Sequence, residues 1–311
     1  MPKALINVNT CKRLSEVKKN ILPFLWFCHE NTAFDFVLSL DGNDETYRDF
    51  CKQYSIPLIY SIEREGVGLS KNRVLKQFPN YEYYFFIDDD MELLNSEIFA
   101  YFISIHQKLH YHHLSYSVND NLQIIDNEYY QLHGGFRGGG CFNFYSKEAL
   151  KLIGGWHTHF AKYKRFGHTE HSYRVFYKDL NPYPYIAIQN ISDYLILNDP
   201  PHVTNISIEQ NQNELIPEEQ AMIDSEQTYF PVTTLSDFYF NGFDVSIPHL
   251  HPDLQKGRYA LLKGRDKIRA WGSFYFHTFK VTKNPFYLAV GLLLYPSNNL
   301  LKHWVKQIIK K

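Results

Sequence analysis

Three consecutive carboxylates, Asp88-Asp89-Asp90, follow directly on the apolar run Tyr83–Ile87 (YYFFI). A continuous apolar run of this kind reads as a strand buried on both faces. Three acids at its end repel one another unless a cation sits among them. Hard divalent cations take carboxylate oxygens, and Mg²⁺ or Mn²⁺ commonly joins a few carboxylates to substrate phosphates. In an extended segment Asp88 and Asp90 point together while Asp89 points elsewhere. The competing reading is a solvated acidic turn capping a helix that starts near Leu94, where the helix dipole favours acids.

The elements that must position these acids alternate along the first half of the chain. Ala4–Val8 is a short apolar run, and Leu14, Val17, Ile21, Leu22 and Leu25 then recur at helical spacing. Phe34–Leu40 reads as a second strand closed by the turn cluster Asp41-Gly42-Asn43-Asp44. Tyr47–Tyr54 is helical, Pro57–Ser61 a third strand, and Ser70–Phe78 another helix. Strand and helix alternating at these distances predict an α/β fold with right-handed crossovers and a mainly parallel sheet. Ligands of such sheets bind beyond the carboxyl ends of the strands, where Asp41 and Asp88–Asp90 both fall. The stretch from Asn119 to Lys178 is glycine-rich, with Gly134-Gly135, Gly138-Gly139-Gly140 and Gly154-Gly155. Residues Ile206 to Glu226 are acidic and Gln/Asn-rich, which suits a surface loop or a helical excursion.

Length and composition bound the rest. With 311 residues, 44% hydrophobic and 21% charged, the chain is one large domain or a domain with an appendage. Its 24 Tyr and 24 Phe exclude a disordered protein. The four cysteines, Cys11, Cys28, Cys51 and Cys141, form no CxxC, so neither a disulfide framework nor a zinc knuckle is indicated. The start of the sequence lacks an apolar signal core and no stretch reaches the ~18 apolar residues of a membrane span, which together predict a soluble chain of a reducing, cytoplasmic compartment. The formal net charge of -1 hides an asymmetry. From Lys256 to Lys311 there are 12 Lys+Arg against one acid, Asp266, leaving 20 Lys+Arg and 32 Asp+Glu in the remainder.

The order of these motifs resembles the family 2 glycosyltransferases of GT-A fold. Asp41-Gly42-Asn43-Asp44 after a strand matches the family's D-D-G-S-x-D-type turn. Gly66-Val67-Gly68-Leu69-Ser70-Lys71-Asn72-Arg73 matches its G-x-x-x-x-R-N helix start, and Asp88-Asp89-Asp90 its D-x-D. Gly154-Gly155-Trp156, followed by Gly167-His168-Thr169-Glu170-His171, looks like its G-G-[FW] and E-D pair. The resemblance implies a GT-A, Rossmann-like sheet with a nucleotide-sugar-binding half over 1–118 and an acceptor-binding half over 119–255. A basic, aromatic and amphipathic extension occupies 256–311.

It further implies a nucleotide-sugar donor, a glycan or lipid-linked acceptor, and a Mn²⁺ or Mg²⁺ cofactor. Asp88 and Asp90 would hold the metal, with Asp89 between them on the substrate side. Thr10 and Asp41 would lie near base and ribose. Lys71 and Asn72 would line or support the nucleotide pocket, and Gly154, Gly155 and Trp156 would shape the sugar and acceptor pocket. Leu40 departs from the first aspartate of the D-D pair, and His171 from the aspartate of the E-D pair. An imidazole titrating near ~6.5 suits a general base, so His171, or Glu170 with His171 positioning the acceptor, would activate the acceptor hydroxyl. The alternative is that Glu170 and His171 simply pair with Arg174, one turn on. A further metal ligand would be His202, ahead of His249 and His251. Trp156, Tyr163 and Phe166 would stack on sugar faces or serve as core.

In the extension Leu300, Leu301, Trp304, Val305, Ile308 and Ile309 form one apolar helical stripe, with Lys302, Lys306, Lys310 and Lys311 at other positions. A basic amphipathic helix of this kind fits an anionic membrane surface better than nucleic acid; packing back onto the domain is the alternative. The whole predicts a metal-dependent glycosyltransferase peripheral to the inner face of the plasma membrane, building a bacterial surface polysaccharide. The competing readings are a non-catalytic nucleotide- or glycan-binding scaffold, and a sugar-phosphate nucleotidyltransferase. A nucleotidyltransferase should have a glycine-rich loop after its first strand, and Asn7–Lys12 contains no glycine.

Overall fold

The computed structural model describes residues 3–117, 123–125, 127–162, 166–198, 217–225, 229–232, 237–241, 285, 286 and 289. Four parallel strands form its centre: β1 (Ala4–Thr10), β2 (Phe34–Leu40), β3 (Leu58–Ser61) and β4 (Tyr83–Asp88). They are connected through α1 (Leu14–Glu30), α2 (Glu45–Gln53) and α3 (Val67–Gln77). These strands and helices are the ones the apolar patterning predicts. After β4 the short β5 (Met91–Leu93) precedes α4 (Glu97–Leu109), so the aspartates enter a strand and do not cap a helix.

The second half of the described chain adds β6 (His113–Ser115), β7 (Gln123–Ile125), β8 (Leu132–Gly135) and β9 (Phe142–Ser146). It continues with α5 (Lys147–Ile153), α6 (Thr158–Lys162), α7 (Gly167–Tyr177), β10 (Tyr185–Ile188) and β11 (Leu195–Leu197). The last elements are α8 (Pro217–Ser225), inside the acidic stretch expected to be loop or helix, and β12 (Phe238–Asn241). The seven-stranded sheet runs β12-β3-β2-β1-β4-β9-β6. Its β9 is antiparallel to β4, and β12 to β3. Smaller sheets, β10-β8-β7 and β11-β5, flank it. His202, His249, His251, Tyr163 and the amphipathic stripe of 300–309 lie outside the described residues. No helix among the described residues is long and apolar enough to cross a membrane.

Alternation along the strands sends side chains to two cores. Ile6, Val8, Phe36, Leu38, Phe85 and Ile87 face α1, α2 and α4. Leu5, Val37, Ile59, Tyr84 and Phe86 face the opposite side, with α3, α5 and α7. Local capping agrees with this layout: the Asp44 side chain accepts the Thr46 N–H at 2.9 Å to start α2, and the Ser146 hydroxyl accepts that of Ala149 at 3.2 Å to start α5.

Phe85 has no exposed surface and packs on Phe99 with ring centroids 4.9 Å apart and on Phe144 at 5.2 Å. Phe85→Ala is expected to lower unfolding free energy by about 3–5 kcal/mol in chemical denaturation, the range for an aromatic lost from a packed core.

Candidate functional site

The strand order reverses at β1, whose neighbours are β2 on one side and β4 on the other. The crossover helices α1 and α3, which lead into β2 and β4, lie on opposite faces of the sheet there, the arrangement that opens a crevice beyond the carboxyl ends of β1 and β4. The residues at that crevice are Asn9, Thr10 and Asp88–Asp90. Asp89 turns toward the α1 side, where it accepts the Thr10 hydroxyl at 2.5 Å and is ion-paired with Arg13. Its backbone carbonyl accepts the Asn20 amide at 2.8 Å. The Tyr47 hydroxyl closes the group, 2.9 Å from Thr10 Oγ1 and accepting the Arg13 N–H at 2.7 Å. Thr10 and Asp89, expected to meet substrate, thus hold the turn together.

Asp88 and Asp90 are left facing the crevice. Arg13 Nη1 lies 2.9 Å from Asp90 Oδ2, while Asp90 Oδ1 is buried with no hydrogen-bond partner among the described residues. Burial raises the Asp88 carboxyl, against the pull of Lys71 and Arg13. Burial, with Asp88 repulsion next, raises Asp90 to about 6, and burial raises Asp89 to about 7. Three carboxylates face two nearby cations, Arg13 and Lys71, so this end of the sheet is short of positive charge. Among the described residues no group of three His, Cys, Asp or Glu side chains is arranged to hold a metal. Two carboxylates with an unpartnered oxygen nevertheless fit a hard divalent ion that completes its shell with substrate phosphates and water.

The neighbouring polar residues mostly secure backbone. Asp41 accepts the N–H groups of Glu65 (2.8 Å) and Gly66 (3.0 Å), fixing the loop that enters α3. Arg73, with no exposed surface, pairs with Glu65 and lies 3.8 Å from Asp41. Asn72 clamps Trp156 from both sides, donating to its carbonyl at 2.9 Å and accepting its N–H at 2.8 Å. Gly154 has φ +76, and a Cβ there would lie 2.1 Å from the Phe230 carbonyl oxygen, so only glycine fits. The Gly155 N–H donates to that same oxygen at 2.8 Å.

Glu170 and His171 are each 0% exposed. Arg174 is bound by Glu170 at 2.5 Å and donates to the carbonyls of Ile153 (2.5 Å) and Gly155 (2.6 Å). His171 donates from Nε2 to the Gly154 carbonyl at 3.0 Å and stacks on Trp156 at 4.0 Å. Burial, then Arg174, holds its pKa well below the usual imidazole value. The pairing of Glu170 with Arg174 is therefore the arrangement present, and both side chains brace the Gly154-Gly155-Trp156 turn from inside. Neither side chain has exposed surface. Trp156, 2% exposed, likewise belongs to the core.

Lys71 stays with the acids. Its ammonium lies 5.4 Å from the Trp156 ring and interacts with Asp88 and Cys141, and burial lowers its pKa. Three further residues at the crevice were not singled out from sequence. Arg13 carries the signal of a cation placed just after β1, opposite the aspartates. Asn9, like Asn7 and Thr10, is a polar residue in the otherwise apolar β1. His168, partly exposed, fills space left by Gly140, whose Cβ would meet it at 2.7 Å. Burial, then Lys71, holds His168 down at about 4, so its imidazole is neutral at pH 7.

No family model matches the chain, and no curated protein does. Solved structures do. Residues 1–349 of S. aureus TarS, also known with UDP and with UDP-GlcNAc, align at 14% identity over 88% of this chain and 80% of that one, with TM-score 0.45. The mannosyltransferase PcManGT from Pyrobaculum calidifontis, with GDP-Man and Mn²⁺, aligns at 11% identity over 100% and 88%, with TM-score 0.46. GalNAc-T7 with UDP, GalNAc and Mn²⁺ aligns at 9% identity over 61% and 43%, with TM-score 0.44.

Two expectations follow from the site. Asn72→Ala leaves the buried Trp156 N–H and carbonyl without partners and should lower stability by about 2–4 kcal/mol in chemical denaturation. The second concerns pH. An acid whose pKa is raised on folding, from 3.8 to about 6 for Asp90, favours the folded state when protonated and destabilises it as pH rises through that window. The protein should therefore lose less Tm between pH 5 and 7.5 as Asp90→Asn than as wild type, measured by thermal denaturation across that range.

Proposed function

We propose that the chain is a nucleotide-sugar-dependent glycosyltransferase of GT-A type that moves a sugar to a glycan or lipid-linked glycan acceptor. The observation that carries this reading is the pair Asp88 and Asp90, set at the reversal of strand order with Asp90 Oδ1 unpartnered and Lys71 alongside. Asp88 and Asp90 would hold Mn²⁺ or Mg²⁺, and that ion would supply Lewis-acid neutralisation of the leaving diphosphate. Arg13 fixes Asp90 through Oδ2 and leaves Oδ1 free to bind. His168, neutral and partly exposed, would accept the acceptor hydroxyl proton, in place of the buried Glu170 and His171.

Transfer in bacterial surface-polysaccharide synthesis, at the inner face of the plasma membrane, is supported by the charge break at Lys256 and the apolar stripe of 300–309. Each Lys or Arg near an anionic surface adds about 1 kcal/mol. Full-length protein with Lys302, Lys306, Lys310 and Lys311 changed to Gln should pellet less with anionic liposomes than the wild type; equal pelleting would remove the membrane role.

A thermal-shift panel of nucleotides and nucleotide-sugars, with and without Mn²⁺, tests the activity class, because ligands that bind the folded state raise its Tm. A Mn²⁺-dependent shift with one nucleotide, lost in Asp90→Ala, is expected. His168→Gln should keep that shift and slow release of nucleotide from the matching nucleotide-sugar by about 10²-fold or more.

A further inference from the structure

Where α4 ends and β6 begins, the chain carries His106, His110, His112 and His113 in close succession. This is the amino end of β4, whose first residue, Tyr83, has its ring 5.6 Å from that of His106; the acids stand at the other end of the same strand. His113 is engaged inside the sheet. It has no exposed surface, donates from Nδ1 to the Phe144 carbonyl at 2.9 Å and accepts the Ser172 hydroxyl at Nε2, 2.8 Å away. The other three are not spoken for in this way. His106 donates from Nδ1 to the Tyr111 carbonyl at 3.1 Å, which leaves the lone pair on Nε2, and Nε2 has no hydrogen-bond partner among the described residues. His112 meets Ser146 Oγ through Nδ1 at 2.8 Å, and its Nε2 has no partner among them either. Ser146 Oγ accepts the Ala149 N–H with one lone pair and has a second for a His112 N–H.

An imidazole anchored at Nδ1 on a protein oxygen, with Nε2 open, is oriented as metal-ligating histidines are. The His106 and His112 rings lie 4.8 Å apart between centroids. Two imidazoles on one Zn²⁺, each at about 2.0–2.1 Å, have centroids roughly 5 Å apart. Burial, then repulsion from His112, lowers the pKa of His106, and burial lowers that of His112, so both are neutral at pH 7, the form that binds metal. The other titratable groups facing them are His110 and Glu148, each of which acts electrostatically on both rings. His110 is exposed, caps α4 at φ 57 and follows His106 by one turn. Glu148 Oε2 lies 4.0 Å from His112 Nδ1, and it and the negative end of α4 favour a cation here. We propose that His106 and His112 are the fixed pair of a site for a borderline divalent cation of the Zn²⁺, Ni²⁺ or Cu²⁺ class, with His110 as third ligand. The side chains as they stand preset two ligands and not three, and the exposed His110 completes the set by turning about its own side-chain bonds. Imidazole nitrogen suits these ions, whereas Mn²⁺ and Mg²⁺ prefer carboxylate oxygens such as those of Asp88 and Asp90. The bound ion would tie the end of α4 to the start of β6, independently of the glycosyltransferase reading.

The test is calorimetric titration of the full chain with Zn²⁺ near pH 7.5, for wild type, Asp90→Asn, His106→Gln, His110→Gln and His112→Gln, beside the Tm of each protein with and without Zn²⁺. Wild type and Asp90→Asn should share one bound Zn²⁺ of the same Kd, since the acids are not its ligands. In His106→Gln and His112→Gln that Kd should rise about 10-fold or more, and the rise in Tm that Zn²⁺ gives the wild type should shrink with it. His110→Gln should weaken the same equivalent by about 3-fold or more if it is the third ligand. His106→Phe keeps a ring packed against Tyr83 and Phe144 while removing the nitrogens, and stands in should His106→Gln not fold. A wild type that binds no Zn²⁺ overturns the site. So does Zn²⁺ binding that the His106 and His112 variants leave unchanged, or that Asp90→Asn alone abolishes. An unchanged Kd in His110→Gln overturns the three-imidazole set.

Discussion

Carboxylates withdrawn from water at the end of an apolar strand are unfavourable, and β4 delivers three of them in succession. Most of the crevice is arranged around that constraint. Arg13 reaches across from the start of α1 to bind two of the three, Thr10 and Tyr47 fix Asp89 and Arg13 in turn, and Asn20 holds the Asp89 carbonyl. Alternation along the chain then divides the acids between the two faces of the sheet. Asp89 is neutralised on the α1 side, and Asp88 lies on the α3 side beside Lys71. The charge left over sits on Asp88 and Asp90, at the point where two crossovers diverge and a ligand can enter. A fold meant only to be stable would have placed an amide or hydroxyl at one of these positions; keeping the acids is the pattern of a binding site that lowers the stability of the empty protein.

A second group of buried polar residues works differently. Asn72, His171 and Arg174 hydrogen-bond the backbone of the Gly154-Gly155-Trp156 turn, and Glu170 pairs with Arg174. A turn with a positive φ and two adjacent glycines has no side chains of its own to fix it, so neighbouring elements must supply the hydrogen bonds. Helices α3 and α7 supply them, through Asn72 and through His171 and Arg174. The turn lies beside Lys71, so its rigidity is passed to the crevice through Trp156 and not through any contact of these four residues with a ligand.

The contrast explains what the sequence makes legible. Strands β1 to β4 and helices α1 to α3 can be read because burial on a periodic backbone leaves a periodic apolar pattern, and the position of the acids follows from the strand that carries them. Which polar atom faces which partner leaves no such trace. Asp41, Asn72 and Glu170 lie in motifs that mark a functional region, yet each binds backbone or an internal arginine. Their spacing is the same whether the side chain turns inward or outward. Asn9 and His168 could have been suspected only as polar interruptions, since their meaning depends on β4 and on Gly140, far away in the chain. The 256–311 extension carries a charge pattern whose structural consequence lies outside the described residues.

Asn9 and Asp88 lie side by side on one face of the sheet. In-register parallel pairing fixes the relative position of the two side chains to within the spacing of adjacent strands, about 4.8 Å, with no loop involved. Arg13 and the Asp89 turn sit on the other face, and their ion pairs cannot reach Asn9 without crossing the sheet. The crevice therefore has two chemically distinct walls: one where Arg13 neutralises Asp89 and Asp90, the other where Lys71 faces Asp88 and the Asn9 amide has no partner among the described residues. Asp88 and Asp90, at the rim between them, are the side chains in reach of both.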